Sequence, residues 1–206
     1  MTEIQKNMQQ LISKEELDKA FDSRFPKEMQ TKLREAKVAI AGLGGLGSNI
    51  AVMLARSGVG QLLLVDFDVV DVTNLNRQMY CIQHLGKPKA QALPEILYQI
   101  NPYINCQSRC VKVTEKNIQE LFLEYPIVCE AFDKPDQKAM LVREVLSRCP
   151  DTTVVSGNGM AGYGDANEIQ TFRKLSRLYV CGDLHSDVNN GLGLMAPRVA
   201  VCAAHE

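Results

Sequence analysis

Gly42, Gly44 and Gly47 stand in the spacing G-x-G-x-x-G, within the run Gly42-Leu43-Gly44-Gly45-Leu46-Gly47-Ser48. With no side chains at those positions the turn can be tight, and backbone amides can approach a phosphate at the start of a helix. The pattern alone is weak. Its setting strengthens it: Val38-Ala39-Ile40-Ala41 precedes it as an apolar strand, a helical stretch follows from Ser48 to Ser57, and Leu62-Leu63-Leu64-Val65 leads to Asp66. An acid at the end of the second strand is placed to take ribose hydroxyls. A nucleotide ligand follows. A dinucleotide is the usual ligand of this pattern, so an NAD-binding oxidoreductase and a nucleotide-sensing module without catalysis both enter the comparison.

The residues beyond Asp66 point to a more highly charged ligand. Asp66-Phe67-Asp68 opens a polar stretch that contains Asn74-Leu75-Asn76-Arg77-Gln78, and Lys87-Pro88-Lys89 comes soon after. A triphosphate needs more counter-charge than a bridging pyrophosphate, and Arg77 and Lys89 could supply it. Asp133 follows an apolar strand at 127–131, and a carboxylate there could hold Mg²⁺ against phosphates.

Positioning these groups requires an ordered alternation of elements. Residues 37–66 read as strand, helix, strand. Helices near 87–100, 115–124 and 135–149 alternate with strands near 104–113, 127–131 and 153–156. That rhythm implies an α/β, Rossmann-like, doubly wound and mainly parallel sheet covered on both faces. A glycine-rich loop, 157–164, then precedes two short strands at 169–172 and 178–181 that suit a small antiparallel extension, and Pro197 suits the first turn of a last helix. Residues 1–36 read as a polar N-terminal helical arm, with Ser13 and Glu16 as a capping box and Pro26 dividing two helices. The expected division is therefore an arm at 1–36 and a single nucleotide-binding domain at 37–206.

Composition narrows the classes. The chain has 206 residues with 23 Lys+Arg against 24 Asp+Glu, a formal charge of -1, so no bulk field draws it to nucleic acid or to an anionic membrane. The start Met-Thr-Glu-Ile-Gln-Lys has no export pattern and no apolar run reaches spanning length, so a cytoplasmic protein with no membrane partner is expected. The seven cysteines (Cys81, Cys106, Cys110, Cys129, Cys149, Cys181 and Cys202) include no C-x-x-C pair, which argues against a disulfide framework and a four-cysteine zinc site. Cys106 and Cys110 are expected as buried residues on one strand face, and Cys181 as the least core-like of the set.

Taken together, the glycine run, Asp66-Phe67-Asp68, Asn74-Leu75-Asn76-Arg77-Gln78, Pro88-Lys89 and Asp133 resemble the ThiF/MoeB branch of the ubiquitin-activating-enzyme-like adenylyltransferases, over roughly residues 35 to 202. Glu130-Ala131-Phe132-Asp133, Gly159-Met160-Ala161-Gly162-Tyr163-Gly164 and Gly193-Leu194-Met195-Ala196-Pro197-Arg198 are similar to the shorter ThiF-type proteins that adenylate the sulfur carrier ThiS in thiamine biosynthesis. The resemblance implies attack of a carrier's C-terminal glycine carboxylate on the α-phosphate of ATP. It places Gly42, Gly44, Gly45 and Gly47 at the nucleotide, Asp66 on the ribose with Asp68 beside it, and Asn74, Arg77, Gln78 and Lys89 on phosphates. Asp133 would bind Mg²⁺. It also implies a homodimer in which an arginine of the arm, Arg24 or alternatively Arg34, reaches the partner's phosphates.

The chain departs from that family pattern in three places. Asp133-Lys134 stands where Asp-Asn is common, which exchanges an amide for a cation. The two C-x-x-C pairs of many relatives are missing, so no zinc is expected. Relatives continue through a full helix beyond Cys202-Ala203-Ala204-His205-Glu206, which leaves open a natural short form or a truncated chain. His205 is expected to be a solvated helix residue. Within the superfamily, a tRNA threonylcarbamoyladenosine cyclising enzyme is the alternative, although the near-neutral charge weighs against an RNA partner.

Overall fold

The computed structural model describes residues 2–188 and 191–206. Seven strands form one sheet in the order β3-β2-β1-β4-β5-β7-β6. They are β1 (Lys37–Ala41), β2 (Gln61–Val65), β3 (Asn105–Arg109), β4 (Ile127–Glu130), β5 (Thr153–Gly157), β6 (Gln170–Leu175) and β7 (Leu178–Gly182). All neighbouring pairs are parallel except β6 with β7. The sheet is thus Rossmann-like and mainly parallel, and its antiparallel part is the β6–β7 hairpin at one edge.

The apolar strands are read twice, once by each face. Val38, Ile40, Leu62 and Leu64 pack under α4 (Gly45–Arg56), α5 (Lys89–Tyr98) and α8 (Ala196–His205). Ala39, Ala41, Leu63 and Val65 pack against α6 (Ile118–Phe122) and α7 (Pro135–Arg148). Burial on both faces is why Leu62 to Val65 shows no polar alternation. Each such leucine contributes about 2 kcal/mol of transfer free energy to the core.

The arm has three helices rather than two: α1 (Glu3–Leu11), α2 (Lys14–Asp22) and α3 (Lys27–Glu35). The Ser13–Glu16 capping box starts α2, with Ser13 also breaking the chain from α1, and Pro26 is the N-cap of α3. Gln5 and Gln9 donate to the Pro102 carbonyl and the Tyr103 hydroxyl donates to the Ile12 carbonyl, which hold α1 on the body. The expected strand at 104–113 ends at Arg109, and the last helix runs ten residues from Ala196.

Strand order reverses between β1 and β4, with β2 and β3 on one side and β5 and β7 on the other. A crevice therefore opens beyond the C-terminal ends of β1 and β4, where connecting loops diverge. The glycine run leaves β1 there, and Ala131-Phe132-Asp133 leaves β4 beside it.

Candidate active site

A cavity of about 520 Å³ occupies that crevice. Its floor is the glycine turn. Gly42 has φ +92, a left-handed conformation, and a Cβ on it would lie 2.8 Å from the Ala131 carbonyl oxygen, so only glycine fits between β1 and β4. Gly44 caps α4 without a side-chain hydrogen bond, which leaves the first-turn amides and the positive end of a twelve-residue helix for an anion. Gly44 and Gly45 line the cavity. Gly47 does not: a Cβ there would be driven into the Gly42 carbonyl, so its role is to let α4 pack on the turn.

Two residues that sequence reasoning gave no role fix the loop around Arg77 and Met79 over this turn. Ser48 Oγ donates to the Gly44 carbonyl (2.6 Å) and accepts from the Met79 amide (3.2 Å). Asn49 Nδ2 donates to the carbonyls of Gly45 (2.7 Å) and Arg77 (3.1 Å). Arg77 thereby lies against Gly45, with its Nη1 donating to the Thr73 carbonyl and to Asn76 Oδ1. Its Nε and Gln78 Oε1 are buried with no partner among the described residues, a polar pair left for a ligand in a wall that also holds Asn74.

Asp66 is buried at the end of β2. Its Oδ2 accepts from the Leu43 amide (2.7 Å) and its Oδ1 from the Asp68 amide (2.8 Å). Burial pushes its carboxyl up, against those two amides and Lys89, which work to lower it. Lys89, the first residue of α5, is buried at 6% exposure and its Nζ reaches Asp68 Oδ2 at 3.3 Å. Asp68 therefore aims the lysine along the cavity, and both line it. Val111, Lys112 and Val113 close the same side, because the chain turns over the cavity once β3 has ended.

Asp133 is exposed on the opposite side and makes no hydrogen bond or ion pair among the described residues. Lys134, the N-cap of α7, lines the cavity beside it. The loop is held from below by Glu130, which is fully buried. Its Oε1 accepts from the Phe132 amide (2.8 Å), and its Oε2 accepts from Ser156 Oγ (2.6 Å) and Lys138 Nζ (2.9 Å). Met160, Leu194 and Val199 form the remaining wall. The structure thus brings Gly42, Gly44, Gly45, Asp66, Asp68, Asn74, Arg77, Gln78, Lys89 and Asp133 to one cavity. Arg24 is exposed and away from it, and Arg34 is engaged with Asp22 and Asp18.

The cysteines correct the sequence expectation. Cys181 is fully buried in β7, and burial raises its thiol, so it is a core residue. Cys106 is half-buried with its thiol pushed up to about 12 by burial, whereas Cys110, just past the end of β3, and Cys81 are exposed. His205 is exposed and shares a 3.0 Å hydrogen bond between Nδ1 and Thr171 Oγ1.

The ThiF family profile matches residues 17–203, a span that takes in every cavity residue. The chain belongs to the ThiF family. This ThiF-family chain is 35% identical over 159 residues to a molybdopterin-synthase adenylyltransferase of Haemophilus influenzae, covering 73% of the chain and 64% of that protein. It is 38% identical over 150 residues to a tRNA threonylcarbamoyladenosine dehydratase of Bacillus subtilis, covering 70% and 57%. The chain thus spans less than two thirds of either relative's length. The Escherichia coli tRNA N6-threonylcarbamoyladenosine dehydratase, solved in complex with ATP, superposes with a TM-score of 0.82 at 24% identity, covering 91% of this chain and 88% of that one, a likeness of fold.

Proposed function

We propose that this ThiF-family chain is a nucleotidyltransferase that adenylates the C-terminal glycine carboxylate of a ThiS-like, ubiquitin-fold sulfur carrier in the cytoplasm, at the thiazole stage of thiamine biosynthesis. One observation carries the reading: the free N-terminus of α4, Arg77 and Lys89 converge on one crevice that also presents the unpaired Asp133 carboxylate. That arrangement suits a triphosphate better than a dinucleotide, which supports ATP over NAD.

In this reading a carrier carboxylate oxygen bonds to the α-phosphorus of ATP, and the bond from that phosphorus to the bridging oxygen breaks. The electron pair leaves with pyrophosphate. Charge accumulates on phosphate oxygens, so the rate comes from positioning and electrostatic stabilisation. The α4 amides and Arg77 hold the phosphates in line, Lys89 is aimed by Asp68, and Asp66 takes the ribose with the lone pairs not used by its two amides. A hard cation fits one free carboxylate supplemented by phosphates and water, so Asp133 would hold Mg²⁺, which supplies neutralisation of phosphate charge when bound. Lys134 adds a second cation where an amide is common.

The domain that does this is residues 37–206. The arm at 1–36 serves a homodimer in which Arg24, unengaged at its own cavity, reaches the partner's phosphates. A second reading, the cyclisation of threonylcarbamoyladenosine on tRNA, is favoured by the 38% identity to the Bacillus subtilis dehydratase. The formal charge of -1 argues against it. Melting curves separate the nucleotide classes: ATP with Mg²⁺ raises the midpoint and NAD leaves it unchanged. Carrier-dependent ATP–pyrophosphate exchange then tests the acceptor.

A further inference from the structure

Behind the Met160–Leu194 wall lies a buried charge network that the adenylation chemistry does not use. Arg198, in the first turn of α8, is 4% exposed. Its Nη1 donates to the Asp165 carbonyl, and its Nη2 pairs with Asp183 and, at 3.4 Å, with Glu168. Its Nε is buried without a partner among the described residues. Asp183 Oδ1 accepts from the amides of His185 (2.9 Å) and Ser186 (2.8 Å), and Ser186 Oγ accepts in turn from the Ala161 amide (3.0 Å). Next to Asp183, Leu184 holds φ +66, the one non-glycine left-handed residue among those described. A strained residue persists only where its surroundings fix it. Glu168, Asp183 and His185 come close enough together to suggest a cation site, but the guanidinium of Arg198 already occupies the Asp183 carboxylate.

The network ends at the cavity. Gly162, next to Ala161, donates to the Gly193 carbonyl (2.9 Å) and bridges to Leu194 as a parallel pair. Leu194 accepts from Asn76 Nδ2 (3.4 Å), beside Arg77. Val199, the neighbour of Arg198 on α8, lies where a Cβ on Gly45 would meet it at 3.1 Å. This wall therefore flanks the cavity beside Gly45 and Arg77, the end read as the phosphate end. We infer that Arg198 is a positioning residue: through Asp183 and Ser186 it holds the Met160–Gly162 turn against Leu194, and so sets the wall along which an acceptor carboxylate approaches the α-phosphate.

The inference rests on the adenylation reading for its acceptor half, whereas the wall itself is read without any acceptor. Three variants test it: Arg198→Met, Arg198→Lys, and Arg198→Met combined with Asp183→Asn. The double variant avoids stranding a buried carboxylate and so remains informative if the single methionine variant does not fold. The expected result is that amide hydrogen exchange at Ala161 and Gly162 accelerates by about tenfold or more while amides of β1 and β2 keep their protection. The Kd for ATP stays within about threefold, and KM for a ThiS-type carrier ending in Gly-Gly rises about tenfold with a smaller change in kcat. Lysine, a single point charge, restores the behaviour in part. Unchanged exchange at Ala161 and Gly162 overturns the positioning role. ATP and carrier affinities that fall together overturn its acceptor side. A wild-type protein that binds ATP but shows no carrier-dependent exchange refutes the carrier reading and the acceptor half with it, and amide exchange still decides the wall.

Discussion

The Asp66 carboxylate accepts a hydrogen bond from the Leu43 amide at 2.7 Å, so the acid that ends β2 and the glycine turn that ends β1 form one unit. Whatever binds the turn is felt by the acid. The same carboxylate takes the Asp68 amide, and Asp68 aims Lys89, so the residues proposed for ribose and phosphate are joined by one short chain of bonds.

Asp66→Asn replaces one acceptor oxygen by an amide donor that faces the Leu43 or Asp68 N–H. We expect a loss of about 1–3 kcal/mol of stability and at least tenfold weaker ATP binding. Chemical denaturation and calorimetric titration check both. Unaltered ATP affinity would remove Asp66 from the ribose role.

Asp133→Ala should behave in the opposite way. The side chain is exposed and has no partner among the described residues, so the melting temperature should stay within about 2 °C while adenylation falls by about a hundredfold or more. Retained activity, read as pyrophosphate release, would exclude it as the metal-holding carboxylate.

Gly47→Ala separates a packing glycine from a binding one. A Cβ at this position would be driven into the Gly42 carbonyl, so a loss of about 1–3 kcal/mol is expected on thermal unfolding. The alanine variant of Gly44, where the nearest non-neighbouring atom to a Cβ would be 3.8 Å away, should fold normally and weaken nucleotide binding instead.

Thiol reactivity follows burial. At pH 8, iodoacetamide should label Cys81 and Cys110 in the native protein and leave the buried Cys129, Cys149, Cys181 and Cys202 unlabelled, with Cys106 slow because its thiol is pushed up to about 12. Mass spectrometry of the peptides reads this directly. Cys181→Ala should keep adenylation, and loss of activity with an intact fold would make this thiol a candidate acyl or sulfur acceptor despite its burial.

The Asp183 carboxyl has a definite pH signature. Burial works to raise it, but the amides of Ser186 and His185 together with Arg198 outweigh burial and hold it well below the usual carboxylate range. A depressed folded value gives stability that is complete above the unfolded value, 3.8, and lost as pH falls through the folded one. The stability difference between wild type and Asp183→Asn should therefore be constant from neutrality to about pH 5 and shrink below about pH 4. A difference that grows on acidification would contradict the network.

The β1–α4–β2 unit and the cavity residues around it were legible because local sequence decides them: apolar runs buried on both faces, a glycine turn and an acid at a strand end. What escaped depended on distant partners. Helix α1 buries no residue fully: Ile4 packs at the edge of the core, and Gln5 and Gln9 reach the Pro102 carbonyl, a partner about a hundred residues away that local pattern does not name. The strand expected to reach residue 113 stops at Arg109, opposite Val65 where its partner β2 ends, and Val111–Val113 turn into the cavity wall. Cys181 reads as loop-proximal in sequence but lies inside β7 between β5 and β6. Arg198 carries no role in the sequence beyond its place in the Gly193–Arg198 run, because the acids that engage it, Asp183 and Glu168, are brought to it only by the fold.

The most direct test is ATP–pyrophosphate exchange with a ThiS-type carrier carrying its C-terminal Gly-Gly, against the same carrier lacking it. Exchange that requires the intact tail is the predicted result, since the proposed reaction needs a free C-terminal carboxylate on the carrier. ATP binding with no exchange for either carrier would contradict the account and make tRNA the substrate to test next.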